Sequence, residues 1–172
     1  MSLNTQPDNV NFLSPVGFKM VLTRAPTTSF FLQNVTIPGI SMPSTTQPTP
    51  FVKIPIPGDH IDYEDLQIAF KLDENLSNWL EIHNWLEALG FPDKFEQYKA
   101  LANKENGDTD LITSDITVTI LNSAMKPNIE FKFEDAFPIS LSSFDLNTMD
   151  QGIDYVSSSA TFKYRKYTIT KL

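Results

Sequence analysis

The clearest strand signal in the chain is the stretch LQIAFKL at residues 66–72. Its apolar residues alternate with Gln67, Ala69 and Lys71, the pattern of a strand that buries one face. The same two-residue period occurs at residues 16–23, 116–120, 129–134 and 160–165, and a further short strand is predicted over residues 30–35. Several short strands of this kind predict a mainly β (α+β) fold, an antiparallel sandwich or barrel.

The composition is that of one globular domain over residues 1–172, with a flexible N-terminus at residues 1–11. Hydrophobic residues make up 41% of the chain and charged residues 20%, enough apolar surface for a core. The absence of cysteine excludes disulfides and thiolate chemistry. A formal net charge of −8 argues against a protein that grips a phosphate backbone. We expect neither a signal peptide nor a membrane-spanning segment.

One segment has helical spacing and predicts an amphipathic helix at residues 75–89. Asp73 and Asn75 are candidate N-caps, and Gly90 suits the position after the helix. Trp85 falls at the edge of the apolar arc and is expected to be partly exposed. A second short helix is predicted at residues 95–102. The predicted core face of the first helix consists of Leu76, Trp79, Ile82, Leu86 and Leu89, with Leu80 beside them.

The segment between Pro26 and Gly58 holds seven of the 12 prolines. Proline cannot donate to a β-ladder, so residues 37–57 are predicted to form an extended arm or long loop rather than a central strand. A mobile linker is one interpretation of this segment. A contact arm is the favoured one, because both flanks belong to one domain and the arm is rich in apolar residues. The predicted subunit-interface residues are Ile37, Ile40, Met42, Phe51, Val52, Ile54 and Ile56.

Signals of catalysis or metal binding are weak in this sequence. His60 stands near Asp59 and Asp62, but one histidine and two acids at a turn do not make a structural zinc site. His83 lies on the apolar arc of the helix and is expected to be a packed residue. No nucleophile elbow or phosphate-binding glycine loop occurs. We therefore expect no catalytic, cofactor or metal site, and not an enzyme.

The last strand is basic, since no acidic residue follows Asp154. Two interpretations are open: a solvated terminal strand, or a docking edge for an acidic partner. The residues of the candidate docking edge are Lys163, Arg165 and Lys166.

The order of these elements resembles the tail tube proteins of contractile-tailed bacteriophages, over roughly residues 11–171. The matching motifs are Ile37-Pro38-Gly39, the run Pro55 to His60 before Tyr63 to Ile68, Asn84-Trp85 in the helix, Ile120-Leu121-Asn122, and a kinked strand from Phe137-Pro138 to Leu146. Type VI secretion tube proteins share that fold.

The resemblance implies a structural subunit of a virion tail, assembled in the host cytoplasm. Six copies would form a ring, and rings would stack into a tube inside a sheath, attached to a baseplate. The tape-measure protein and DNA would pass through the lumen, whose wall is expected to be acidic so that phosphates slide past it. The competing interpretations are a tube initiator, baseplate or terminator ring of the same fold, a type VI secretion-like tube subunit, and a stand-alone β-sandwich binding module.

Overall fold

The computed structural model describes residues 11–90, 112–147 and 155–172, which contain eleven β-strands and two α-helices. The strands are β1 Phe18–Leu22, β2 Leu32–Thr36, β3 Ile40–Ser41, β4 Ser44–Pro48, β5 Lys53–Pro57, β6 Asp62–Tyr63, β7 Leu66–Lys71, β8 Ser114–Leu121, β9 Pro127–Leu141, β10 Ser157–Lys163 and β11 Lys166–Lys171. The helices are α1 Pro26–Phe30 and α2 Ser77–Gly90. The helix predicted at residues 95–102 and nearly all of the N-terminus predicted to be flexible lie outside the described residues.

Seven strands form one antiparallel sheet that bends along its longest strand, β9. The strand order is β1-β8-β9-β10-β7-β2, and β11 also pairs with β9. Residues 129–134 of β9 lie between β8 and β11, whereas residues 137–141 pair with β10. Between these stretches Asp135 has a φ of 55° and the register with β8 shifts, which is a β-bulge that bends the strand. The bulge divides the sheet into a first half (β1, β8, early β9, β11) and a second half (late β9, β10, β7, β2).

Both halves of the sheet bury one face in a common core. The alternation at residues 66–72 is borne out, because Leu66, Ile68 and Phe70 are buried and Gln67 is exposed. Further buried strand residues include Met20, Leu22, Ile116, Val118, Phe133, Ala136, Ala160 and Phe162. The mainly β, antiparallel fold predicted from the sequence is confirmed. In the described ranges β1 and β2 are the two ends of the strand order and do not pair, so the sheet is not a closed barrel.

Helix α2 packs on this core through Ile82 and Trp85. The expectation that Trp85 is partly exposed was wrong: it is 2% exposed, and its Nε1 donates a hydrogen bond to the Ile112 carbonyl at 3.0 Å. The buried line of the helix runs through Asn78, Ile82 and Trp85, spaced by four and three residues. The sequence pattern counted apolar residues only and so missed the buried asparagine.

The predicted core face of α2 is therefore rotated relative to the observed one. Leu86 and Leu89 are partly buried against the core, and Leu76 and Trp79 are also partly buried. Leu80 is 43% exposed. Leu76 has a φ of 55°, so the regular helix begins only at Ser77.

Two polar side chains of α2 join it to neighbouring elements. Asn78 Nδ2 donates to the Lys71 carbonyl at the end of β7 over 2.6 Å. The Glu81 carboxylate accepts the backbone N–H groups of Thr27 and Thr28, at 3.3 and 3.1 Å, at the start of α1. These bonds fix α1, and with it the connection between β1 and β2. No helix in the described ranges is both long and apolar enough to cross a membrane.

Candidate assembly surface

The predicted arm is a β-hairpin that stands apart from the main sheet. Strands β4 and β5 pair antiparallel with each other, and β3 pairs with β6 at the base of the arm. All ten residues of β4 and β5 are exposed. The sequence predicted an extended arm or long loop, and the pairing of β4 with β5 was not part of that prediction. A two-stranded ribbon tolerates proline because each strand needs donors on one side only.

Four hydrogen bonds hold the base of the arm. The Gly58 N–H donates to the Pro43 carbonyl at 2.8 Å, and a Cβ at residue 58 would lie 2.5 Å from that oxygen, so glycine is required there. The Gly39 N–H donates to Glu64 Oε2 at 3.1 Å, and the Glu64 N–H donates to the Gly39 carbonyl. Tyr164 Oη donates to the Glu64 carbonyl at 2.8 Å, and burial raises the pKa of this tyrosine. The arm thus leaves the body through a fixed base.

Six of the seven predicted interface residues are exposed along the arm. Phe51, at the tip of the hairpin, is 94% exposed. The others are Ile40, Met42, Val52, Ile54 and Ile56, each between 39% and 65% exposed. The seventh, Ile37, is instead partly buried against the domain core. Exposed apolar side chains concentrated on one projecting element are typical of a protein–protein contact.

A groove of about 790 Å³ lies between β1 and the α1–β2 segment. Its exposed apolar residues include Val16, Val21 and Phe30, which are 77%, 47% and 82% exposed. Sequence reasoning did not select them as site residues. Val21 could have been selected from the sequence. It is an apolar residue at an outward position of β1, where the two-residue period favours a polar residue.

The three basic residues of the candidate docking edge are paired with acids of the same chain. Lys163 Nζ lies 2.6 Å from Asp65 Oδ1. Arg165 contacts Glu134 at 2.9 Å and Asp135 at 3.0 Å, and Lys166 lies 3.4 Å from Glu134. The Lys163 pair follows from the register of β10 on β7, and the Glu134 pairs follow from the register of β11 on β9. This pairing favours the interpretation of a solvated terminal strand. The docking edge stays a prediction.

The outward faces of the sheet are polar but not acidic. On β10 and β7 the outward residues are Ser157, Ser159, Thr161, Lys163, Gln67, Ala69 and Lys71. On the first half of the sheet three lysines stand with three acids: Lys19, Lys132, Lys166, Asp115, Glu130 and Glu134. The acidic lumen wall implied by the resemblance stays a prediction. These outward faces carry lysines as well as acids, and Asp59, Asp62 and Glu64 lie at the base of the arm.

The two histidines show no metal-binding arrangement. His60 Nδ1 is 3.0 Å from Asp59 Oδ1, and its Nε2 is 3.9 Å from Asp62 Oδ2, all three side chains being largely exposed. His83 stacks on Trp79 with ring centroids 4.9 Å apart, and its side chain is 45% exposed. Among the described residues no group of three or more potential ligands could hold a metal ion.

Comparison with known proteins decides the family. The family model described as "Phage tail tube protein" matches residues 5–170. The chain belongs to this family. No curated protein sequence matches the chain significantly.

Three solved structures share the fold of this chain. The tube-terminating cap of the anti-feeding prophage aligns with a TM-score of 0.60 and 13% identity, covering 100% of both chains. The sheath/tube terminator of the PVC extracellular contractile injection system aligns at 0.59 and 15% identity, covering 94% of this chain and 99% of that one. The PVC sheath–tube complex aligns at 0.57 and 15%, covering 95% of each chain. At these identities the likeness shows the fold alone.

Proposed function

We propose that this tail tube family member is the repeating subunit of a contractile tail tube, in which six copies form a ring and the rings stack around a channel. The observation that carries the proposal is an exposed apolar arm held on a fixed base beside a sheet with open edges. Unpaired strand edges invite further strands, and pairing between copies would satisfy them in a closed ring. The protein would then be structural, not an enzyme.

A tube also needs contacts along its axis. An arm that leaves one copy and binds the next is a head-to-tail contact, and such contacts propagate when they do not close. In the proposed particle the outer partner is the sheath and the end partner is the baseplate. The tape-measure protein and DNA are the proposed contents of the lumen. The protein would be part of the tail of a virion, assembled in the host cytoplasm.

A terminator ring is the second candidate. Two of the structures similar to this chain, the anti-feeding prophage cap and the PVC terminator, close a tube rather than extend it. A terminator would be present as one ring per particle, whereas a repeating subunit would be present in many. A type VI secretion-like tube subunit, an initiator or baseplate ring, and a monomeric binding module are weaker candidates, because no specific feature of the described residues favours them.

Electron microscopy of the purified protein and of native particles tests ring formation. We expect six-fold rings, or stacks of them. A permanently monomeric protein, at all concentrations and in the particle, would rule out the tube and favour the binding module.

Quantitative mass spectrometry of intact particles separates the ring classes. A repeating subunit should be in large excess over single-ring baseplate proteins. Six copies per particle would support the terminator or initiator and leave the fold and ring assignment intact.

A further inference from the structure

The groove between β1 and β2 lies at the two ends of the bent sheet. In the described ranges each end strand pairs on one side only, β1 with β8 and β2 with β7. Leu22, at the end of β1, is bonded locally in this gap, its N–H to Ser29 Oγ at 3.0 Å and its carbonyl to the Ala25 N–H at 3.2 Å. The rest of the β1 edge has no neighbouring strand in the described ranges and stands beside the exposed side chains of Val16, Val21 and Phe30. Apolar surface next to a free strand edge is a site at which another chain can add.

We propose that this groove receives the arm hairpin of a second copy of the chain. The inference rests on the tube proposed above and specifies its receiving surface. The arm supplies apolar side chains that can cover the open side of the groove. Strands β4 and β5 do not pair with the main sheet of their own chain.

The side chains of the arm are suited to this groove. Partners in an antiparallel pair point to the same face, so Ile54 and Ile56 share one face with Gln47 and Thr45. Lys53, the only charged residue between Ser44 and Pro57, is on the other face. The isoleucine face can enter an apolar groove without burying that charge. Strands β4 and β1 also match in length, with five residues each, or about 17 Å.

The prolines determine which edge of the arm can pair. Pro48, Pro55 and Pro57 have no N–H, so their pairs with Lys53, Thr46 and Ser44 are the non-hydrogen-bonded pairs of the hairpin. The hydrogen bond from Gly58 to Pro43 fits this alternation.

Because of these prolines, the two outer edges of the hairpin offer different numbers of backbone N–H donors. On β5 they are residues 53, 55 and 57, of which two lack a donor. On β4 they include Ser44 and Thr46, which keep their N–H groups. The outer edge of β4 thus keeps two of three donors, against one of three on β5, and is the edge better suited to add to a strand of the groove.

Cross-linking of mixed single-cysteine variants tests the proposal, and the cysteine-free chain gives a clean background. Ile54→Cys is mixed with Val21→Cys carrying a size tag, assembled, and treated with a short bismaleimide. We expect a heterodimer that contains both variants. The matched control replaces the groove variant with Ile169→Cys on β11, which is also exposed, at 60%, and should give little product.

Each outcome of the cross-linking is decisive. Rings that give no Ile54–Val21 product, or give as much with Ile169, overturn the groove and leave the tube standing. If the parent chain itself assembles under no condition, both the tube and this inference are overturned.

A second pair of variants tests the same contact without cysteine. Val21→Lys places a charge in the groove at an exposed position, so the fold should persist while the assembled fraction falls roughly tenfold or more. Thr168→Lys, exposed on β11, is the control and should assemble normally. Thr46→Pro removes an outward donor of β4 and should reduce assembly similarly. Normal assembly of both Val21→Lys and Thr46→Pro would contradict the proposal.

Discussion

Asp135 is the residue at which β9 changes direction. Its φ of 55° is unfavourable for most L-residues, but aspartate and asparagine tolerate it better than others. Its Oδ2 also accepts a contact from Arg165 Nε at 3.0 Å, and its N–H lies 3.4 Å from Asp115 Oδ1. One residue thus supports both the bend and the attachment of the last strand.

We expect Asp135→Val to lower the free energy of unfolding by about 1–2 kcal/mol more than Asp135→Asn, because a β-branched residue is strained at this φ. Both substitutions remove the carboxylate, so the asparagine variant controls for loss of the ion pair. Urea unfolding of both variants measures the difference. Equal stabilities would mean that the bulge relaxes at no cost.

The ion pairs of Glu134 give the chain a dependence on acid pH. Arg165, and after it Lys166, hold the pKa of this carboxyl below its usual range. Because the folded-state pKa is the lower one, the stabilisation is present above the unfolded value of about 4.3 and is lost as the pH falls through the folded value. Between pH 6 and pH 3 we expect the free energy of unfolding, measured with urea, to fall less in Glu134→Gln than in the parent chain.

Among the elements, α2 provides the clearest test of packing. Ile82 is fully buried, whereas Leu80, two residues earlier, is 43% exposed. We expect Ile82→Ala to lower the free energy of unfolding by about 2–5 kcal/mol through loss of apolar contact and the cavity left behind. Leu80→Ala should cost less than about 1 kcal/mol. A large effect at Leu80 would mean that its side chain is buried in solution by another part of the chain or by a second copy.

The elements also show how far the sequence alone could lead. Strands with a clean two-residue period were predictable, since residues 66–72 bury the side chains that the alternation selects. The hairpin in the arm was not, because proline excludes a strand only where its missing donor is needed. The ion pairs of Lys163 and Lys166 depend on which strands are neighbours, and a local pattern holds no such information. The rotation of α2 arose from Asn78, a buried polar residue whose partner, Lys71, lies on another element.

For the whole molecule, the arm can be separated from the domain that carries it. Replacing residues 44–57 with a short Gly-Ser turn should leave the free energy of unfolding nearly unchanged, because the described part of this hairpin is exposed and outside the core. Assembly should be lost. Analytical ultracentrifugation beside urea unfolding measures both. A shortened protein that still assembles would mean that the arm is only a linker.

A matched variant keeps the arm and alters only its base. Gly58→Ala brings a methyl group within 2.5 Å of the Pro43 oxygen, so the hairpin must shift while its sequence stays intact. Loss of assembly in this variant would show that the direction of the arm matters as well as its presence.

The outward face of β10 has a further consequence for a tube. Its Ser157, Ser159 and Thr161 are short, uncharged and similar to one another, and they repeat at every second residue. A polymer that moved along such a wall would exchange one hydrated contact for a nearly equal one at each step. Because these side chains carry no fixed charge, they would hold a charged polymer only weakly at any one position. If this row of three side chains lines the channel, friction on the cargo along it would be low whatever the sign of its charge, and the speed of delivery there would depend only weakly on salt.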